Sequence, residues 1–419
     1  MKASPEPAGN ARRDALVARS AALLVGGRVL GGVLAVGSVA LLVRHLTVQE
    51  FGLYSYAVTL LSLLRVLVGF GGNDVATAEM AREPARARET LGALLTLRVV
   101  GAVLATSVYT LVVTSTESEA RGALLLAGPF LLFSAGKAFD TVLQVRQHMG
   151  VVALARLLGQ AGFLLAVLLL AVAGTLSLRW AVVLSAATAA FAQLAVVLRG
   201  LRHERPVLSL SPAPALRFLG RSWPQALATV FGLLTFHLDT VMLRHLEGPH
   251  ETGIYGAGYR LFAFALMIPA LLAAPLLPEM ARGSADRSRL FFVGVRTMVV
   301  LGLSTALAAY FLAPFVIDVL YDHEQYSQSI PVLRMLFAAF VGHALATVCG
   351  TALLSAGRQR TWATIASFVL ALNVVLNVAL IPRYGAAGAA LATVVTESAG
   401  ALLALAIVLP WLRRAAGPS

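Results

Sequence analysis

Arg44-His45-Leu46-Thr47-Val48-Gln49-Glu50-Phe51-Gly52-Leu53-Tyr54 is echoed by Arg244-His245-Leu246 and then Glu251-Thr252-Gly253-Ile254-Tyr255. The offset is 200 residues at the histidines and 201 at the tyrosines. A weaker echo relates Arg146-Gln147 to Arg358-Gln359. Chance can supply one shared tripeptide. Two ordered matches, each lodged between long apolar runs, point instead to an internal duplication.

Outward from this repeat the chain is a succession of apolar runs. Of its 419 residues 58% are hydrophobic and 13% charged, with a mean hydropathy of +0.82. A soluble domain is nearer a quarter charged, so this is membrane composition. A spanning helix needs about 20 apolar residues. Six such runs precede residue 199, near 20–43, 53–71, 91–113, 124–145, 151–173 and 181–198. Six more follow, near 224–243, 253–277, 291–315, 330–353, 362–381 and 388–409. The first is longer than the apolar core of a signal peptide and reads as a retained span.

The expected fold is therefore all-α: a polytopic membrane protein of twelve transmembrane helices in two parallel six-helix lobes around a central cavity. The expected organisation is a cytoplasmic tail (1–19), an N-lobe (20–198), a basic cytoplasmic connector (199–216), a C-lobe (217–410) and a cytoplasmic tail (411–419). With six spans in each half, both repeats enter the membrane from the same side, as parallel repeats do.

The formal charge is +13, and 31 of the 33 basic residues are arginine. In a soluble protein that balance would suggest nucleic acid. Sorted over alternate connectors, however, the basic residues divide roughly 20 against 5. That asymmetry is the positive-inside bias, which places the arginine-rich connectors and both termini in the cytoplasm. The charge is thus an orientation signal, and no nucleic-acid partner is expected. Cys349 stands alone, which excludes an intrachain disulfide and a cysteine-cluster metal site. No Gly-x-x-x-x-Gly-Lys-Ser/Thr string occurs, so no nucleotide cofactor is expected. No nucleophile–base grouping suggests an enzyme.

Polar residues inside the spans are the candidates for function, since each is costly there. Arg28 lies about 8 residues into the first span, roughly 12 Å deep at 1.5 Å per residue. Arg65 shares a three-to-four spacing with Ser55, Thr59, Ser62 and Gly69, one polar helical face. Arg260 follows Gly253 and Gly256 on span eight. Gln225, Thr229, Gly232, Phe236 and Asp239 form a second polar stripe on span seven. Arg28, Arg65 and Arg260, with Ser62, Gln225 and Thr229, are the expected substrate-binding residues. Asp239 is read as a coupling carboxylate or the counter-ion of a cavity arginine, and Glu397 as a further coupling candidate. Asp140 is expected to pair with Lys137, three residues away, and Arg98, Arg156 and Arg296 to snorkel to an interface.

Several motifs together carry a family resemblance. They are Glu50–Tyr54, Gly253-Ile254-Tyr255-Gly256-Ala257-Gly258-Tyr259-Arg260, His237-Leu238-Asp239-Thr240-Val241-Met242-Leu243, Ala274-Pro275-Leu276-Leu277-Pro278-Glu279, and Ile381-Pro382 with Tyr384-Gly385-Ala386-Ala387-Gly388. In this order and spacing the chain resembles the lipid-linked oligosaccharide flippases of the multidrug/oligosaccharidyl-lipid/polysaccharide exporter superfamily. The resemblance implies alternating access, outward movement of undecaprenyl-diphosphate-linked oligosaccharides for polysaccharide export, and residence in the bacterial cytoplasmic membrane. It also implies contacts with a polysaccharide polymerase or glycosyltransferases. A cation-coupled multidrug antiporter of the same superfamily is the alternative, with a membrane-embedded sugar polymerase behind it. One departure stands out. Members often carry an acid-x-Gly step after span two, whereas here Gly71-Gly72-Asn73-Asp74 puts the acid after the glycines.

Overall fold

A computed structural model of the chain describes residues 7–69, 72–115, 120–209, 211–282, 287–321 and 323–415. Among them every regular element is helical: α1 (Pro7–His45), α2 (Val48–Leu67), α3 (Gly72–Arg82), α4 (Ala87–Thr114), α5 (Arg121–Leu125), α6 (Ala138–Val145), α7 (Met149–Val172) and α8 (Leu178–Leu201) in the first half. The second half holds α9 (Ala213–Leu246), α10 (Pro249–Ala265), α11 (Met267–Ala273), α12 (Leu276–Arg282), α13 (Arg287–Leu320), α14 (His323–Tyr326), α15 (Ser329–Ser355) and α16 (Gln359–Ala415). A 3-10 segment, Gly128–Lys137, leads into α6.

Ten of these stretches among the described residues are long and apolar enough to cross a membrane. One of them, Gln359–Leu412, runs for 54 residues, roughly 81 Å at 1.5 Å per residue, against a hydrocarbon core of about 30 Å. It bends at Gly385, whose φ of 54° is left-handed. A Cβ there would stand 2.2 Å from a Glu251 carboxylate oxygen, so the bend requires glycine. The Ala386 amide beyond the bend donates to that Glu251 oxygen at 2.7 Å, satisfying an N–H that the kink strands. The twelve-helix expectation is met by ten such stretches, one of them long enough for two crossings.

The chemistry of the surfaces fits a lipid solvent. Leu111, Val172, Phe191, Phe311 and Leu402 are among many large apolar side chains that are exposed. Hydroxyls within the helices bond back to the carbonyl one turn earlier, as Ser38 does to Leu34 and Thr106 to Ala102. No polar group of theirs is then left bare to hydrocarbon.

Contacts divide the chain into two compact units. Unit 1 comprises Met1–Ser38, Leu64–Thr175 and Arg179–Leu227. Its core gathers Leu91, Leu94, Phe139, Val142, Leu143 and Phe218. The connector is stitched to it: Glu204 takes Arg88 at 3.0 Å and Arg146 at 3.1 Å, and the Val207 amide donates to the Arg88 carbonyl. Unit 2 comprises Val39–Leu63, Leu176–Leu178 and Ala228–Ser419, with Met280, Phe291, Val348, Cys349 and Ala404 in its core. Val39–Leu63 thus packs with the second half of the chain. The reason is the sequence repeat, whose two copies meet face to face. A Cβ on Gly52 would stand 1.8 Å from the Pro249 carbonyl oxygen, and one on Gly253 2.1 Å from that of Val48.

Candidate functional site

In unit 2 the stripe of span seven delivers Asp239, 2% exposed, into a nest of neutral donors. Tyr255 on α10 donates its hydroxyl to Oδ2 at 2.9 Å. Asn377, on α16 before the bend, donates its amide to Oδ1 at 2.7 Å. Thr393, beyond the bend, donates to Oδ2 at 3.1 Å. The Asn377 amide also reaches Asn373 Oδ1 at 2.9 Å, which leaves its own Oδ1 buried without a partner. The donors to this carboxylate are an amide and two hydroxyls, with no arginine among them. One turn past Thr393, Glu397 meets His343 Nδ1 at 3.3 Å, and His343 sits edge-on to Phe236.

Arg260 lies over the Tyr54 ring, 5.1 Å from its centroid. Both belong to the paired repeats. Around the same crossing Tyr56 meets His245 Nε2 at 3.3 Å, Arg244 lies 6.0 Å from the Tyr56 ring, and Arg44 donates to the Val319 carbonyl. The expected residues Gln225 and Thr229 fall within α9, but their side chains lie outside the described residues.

Unit 1 holds a second polar cluster, and it is cationic. Arg98 is 4% exposed and donates to Asn73 Oδ1 at 2.7 Å and to the Ser134 carbonyl at 3.4 Å. This corrects the snorkelling reading of Arg98, since the guanidinium turns inward to a polar partner. Arg296 is exposed. Asn73 in turn donates to the Lys137 carbonyl at 3.1 Å. Asp140, expected to pair with Lys137, takes Arg156 at 2.7 Å and Gln193 at 3.1 Å instead. Lys137 stands within electrostatic reach of Arg65, Arg98 and Arg156 as well as Asp140. Four cations therefore surround one carboxylate.

Arg65 is half-buried near the end of α2, and Ser62 one turn before it bonds back to the Val58 carbonyl at 2.7 Å. Arg28 opens onto a cavity of about 250 Å³ that Arg156 and Gln160 of α7 also line. The residues that sequence reading missed are Asn73, Lys137, Asn377 as an Asp239 ligand, and Gln193. Asn73 alone carried a signal, standing where relatives place an acid.

The protein family described as Polysaccharide biosynthesis protein matches residues 17–284, and that described as MatE matches residues 224–379. Among solved structures, the chain is similar to one described as lipid II flippase MurJ in an inward closed conformation. The TM-score is 0.79 at 14% identity, over 95% of this chain and 89% of that one. It is similar also to an inward-facing multidrug resistance MATE family transporter of the MOP superfamily, with a TM-score of 0.72 at 13% identity over 93% and 96%. A third is a MOP superfamily transporter from Pyrococcus furiosus, described as having a binding pocket of reverse polarity, with a TM-score of 0.63 at 13% identity over 95% and 96%. At such identities the likeness is one of fold, that of multi-pass membrane transporters and flippases. No curated protein matches the sequence.

Proposed function

The chain belongs to the polysaccharide biosynthesis protein family, and from that premise we propose that it flips undecaprenyl-diphosphate-linked oligosaccharides across the bacterial cytoplasmic membrane for polysaccharide export. The observation that carries the proposal is the cationic excess of unit 1: Arg65, Arg98, Lys137 and Arg156 around the single carboxylate of Asp140. A cation at mid-membrane costs roughly 2.5–3.5 kcal/mol to insert. Four so close together raise one another's cost, and only an anion offsets it. A diphosphate is such an anion, and guanidinium forks match its oxygens in paired, charge-assisted hydrogen bonds.

In this reading the arginine-rich connectors and both termini face the cytoplasm, and Arg28, Arg65 and Arg260 line the path of the headgroup. Ser62, Gln225 and Thr229 offer hydrogen bonds to the sugars. Outward movement of an anion gains from an inside-negative potential, about 2.3 kcal/mol per charge per 100 mV. The enzymes that make and polymerise the sugar units are the natural partners. Deletion of the gene tests the proposal: lipid-linked units should accumulate in the inner leaflet, and unchanged sidedness would sink it.

The buried Asp239 favours a second reading, a cation-coupled antiporter of MATE type. A carboxylate held by neutral donors, with the unpartnered Asn377 Oδ1 beside it, is chemically suited to trade a coupling cation. Glu397, next along α16, is the alternative carrier. Cation-dependent drug efflux from vesicles containing the purified chain distinguishes this reading from the first.

A further inference from the structure

We infer that Arg156, held by Asp140, joins Arg28 and Gln160 in a phosphate-binding seat between α1 and α7 that receives the diphosphate of a lipid. The inference deepens the flippase reading and rests on it for the identity of the lipid.

The seat begins with what lines the cavity: Arg28, Arg156 and Gln160 as its polar groups, glycines at 27 and 31, and no carboxylate. Arg28 has no hydrogen bond or ion pair among the described residues and is exposed, so its five donors are unused. Arg156 is differently placed. One terminal nitrogen is tied at 2.7 Å to Asp140, whose side chain is only 10% exposed and is held on its other oxygen by Gln193. The rest of Arg156 is open, its side chain 57% exposed. A pinned guanidinium with free donors is pre-oriented for a second oxyanion. Gln160 follows one turn later on the same face of α7, adding an amide to the same opening.

Shape favours an anion that brings an apolar tail. The flanks of the cavity carry exposed Val29, Leu30 and Val33 on α1 and exposed Leu154 and Leu158 on α7. A prenyl chain can lie along these flanks while its phosphate enters between them. Glycine keeps the entrance open: a Cβ on Gly31 would meet no atom within 4 Å. A leucine there would narrow the seat without clash and without changing charge.

The test uses the full chain in lipid nanodiscs, with farnesyl diphosphate and inorganic pyrophosphate as probes and binding read by thermophoresis. Arg156→Gln should weaken farnesyl diphosphate by about tenfold, as loss of a charge-assisted pair does, and Arg156→Lys should recover part of it. Asp140→Asn leaves Arg156 in place but unpinned, and should weaken binding severalfold while Asp140→Glu restores it. Gly31→Leu should weaken farnesyl diphosphate without altering the melting temperature, which keeps the test sound if a charge variant misfolds. The seat is overturned if Gly31→Leu and Arg156→Gln both leave the farnesyl diphosphate affinity within twofold. Equal affinity for pyrophosphate would overturn its assignment to a lipid. Flipping of lipid-linked oligosaccharide in proteoliposomes is measured separately. Arginine-dependent binding without flipping would retire the proposed function and leave the seat standing.

Discussion

Gly52 and Gly253 cross with no side chain between them, so near that a Cβ on Gly52 would stand 2.8 Å from the Gly253 amide nitrogen. The two glycines hold the same place in the repeated motif, so the duplication packs its copies against each other. Tyr54 under Arg260 and Tyr56 against His245 flank the crossing. Closing or parting these helix ends is a natural two-state element for alternating access.

Gly52→Ala should therefore destabilise the crossing by about 1–3 kcal/mol, the usual cost of overpacking. A lowered melting temperature of the purified protein checks this, together with faster labelling of a cysteine introduced at Phe51, which is now fully buried. Unchanged labelling would show that the helices tolerate the methyl by sliding and that the crossing is no latch.

In unit 1, Asn73→Ala removes the best acceptor of the buried Arg98 guanidinium and leaves the longer bond to the Ser134 carbonyl. The expected loss is about 2 kcal/mol, since a buried charged donor is left short of partners. Asn73→Asp keeps an acceptor and should be milder. Denaturation midpoints of the two variants in the same detergent decide the order.

How much of this was legible beforehand follows from what periodicity encodes. Length and hydropathy suffice to find helices, so the long spans could be read directly, and the repeat located the Gly52–Gly253 junction. The three-to-four spacing put Asp239 on a polar face. Its ligands could not be read, because Asn377 and Thr393 lie 138 and 154 residues away and meet it only through tertiary packing. Arg98 failed for a related reason: depth from the helix end is a matter of counting, but whether a long side chain turns up to water or inward depends on a neighbour such as Asn73. Arg156 likewise chose Asp140 on another helix over any partner of its own. Rotation of one helix against the next is where sequence spacing runs out.

Acid should loosen the connector. His203 stacks on His148 at 4.8 Å, and burial, aided by His148, Arg199 and Arg146, lowers its pKa from the usual value. The folded chain then binds fewer protons than the unfolded chain near that value. The stabilising effect of the neutral stack is fully present above about pH 6.5 and is lost as pH falls through the lowered folded value. Hydrogen exchange of residues 199–207 should accelerate between pH 7.5 and 5.5 (on the order of severalfold), and His203→Gln should flatten that response.

Asp239→Asn separates a structural carboxylate from a coupling one. Asp239 receives two hydroxyls on Oδ2 and one amide on Oδ1. An asparagine can keep its oxygen toward Tyr255 and Thr393 and turn its amide toward Asn377. The conflict with the Asn377 amide is relieved if Asn377 flips to present the Oδ1 that now lacks a partner, with Asn373 flipping in step. The network stays satisfied, so the stability cost should remain within about 1 kcal/mol. Asp239→Ala strands these donors and should cost about 3 kcal/mol. If Asp239 carries the coupling cation, Asp239→Asn will fold normally, bind substrate and lose the dependence of transport on a sodium or proton gradient. Retained gradient dependence in that variant would move the coupling role to Glu397, where Glu397→Gln is the corresponding measurement.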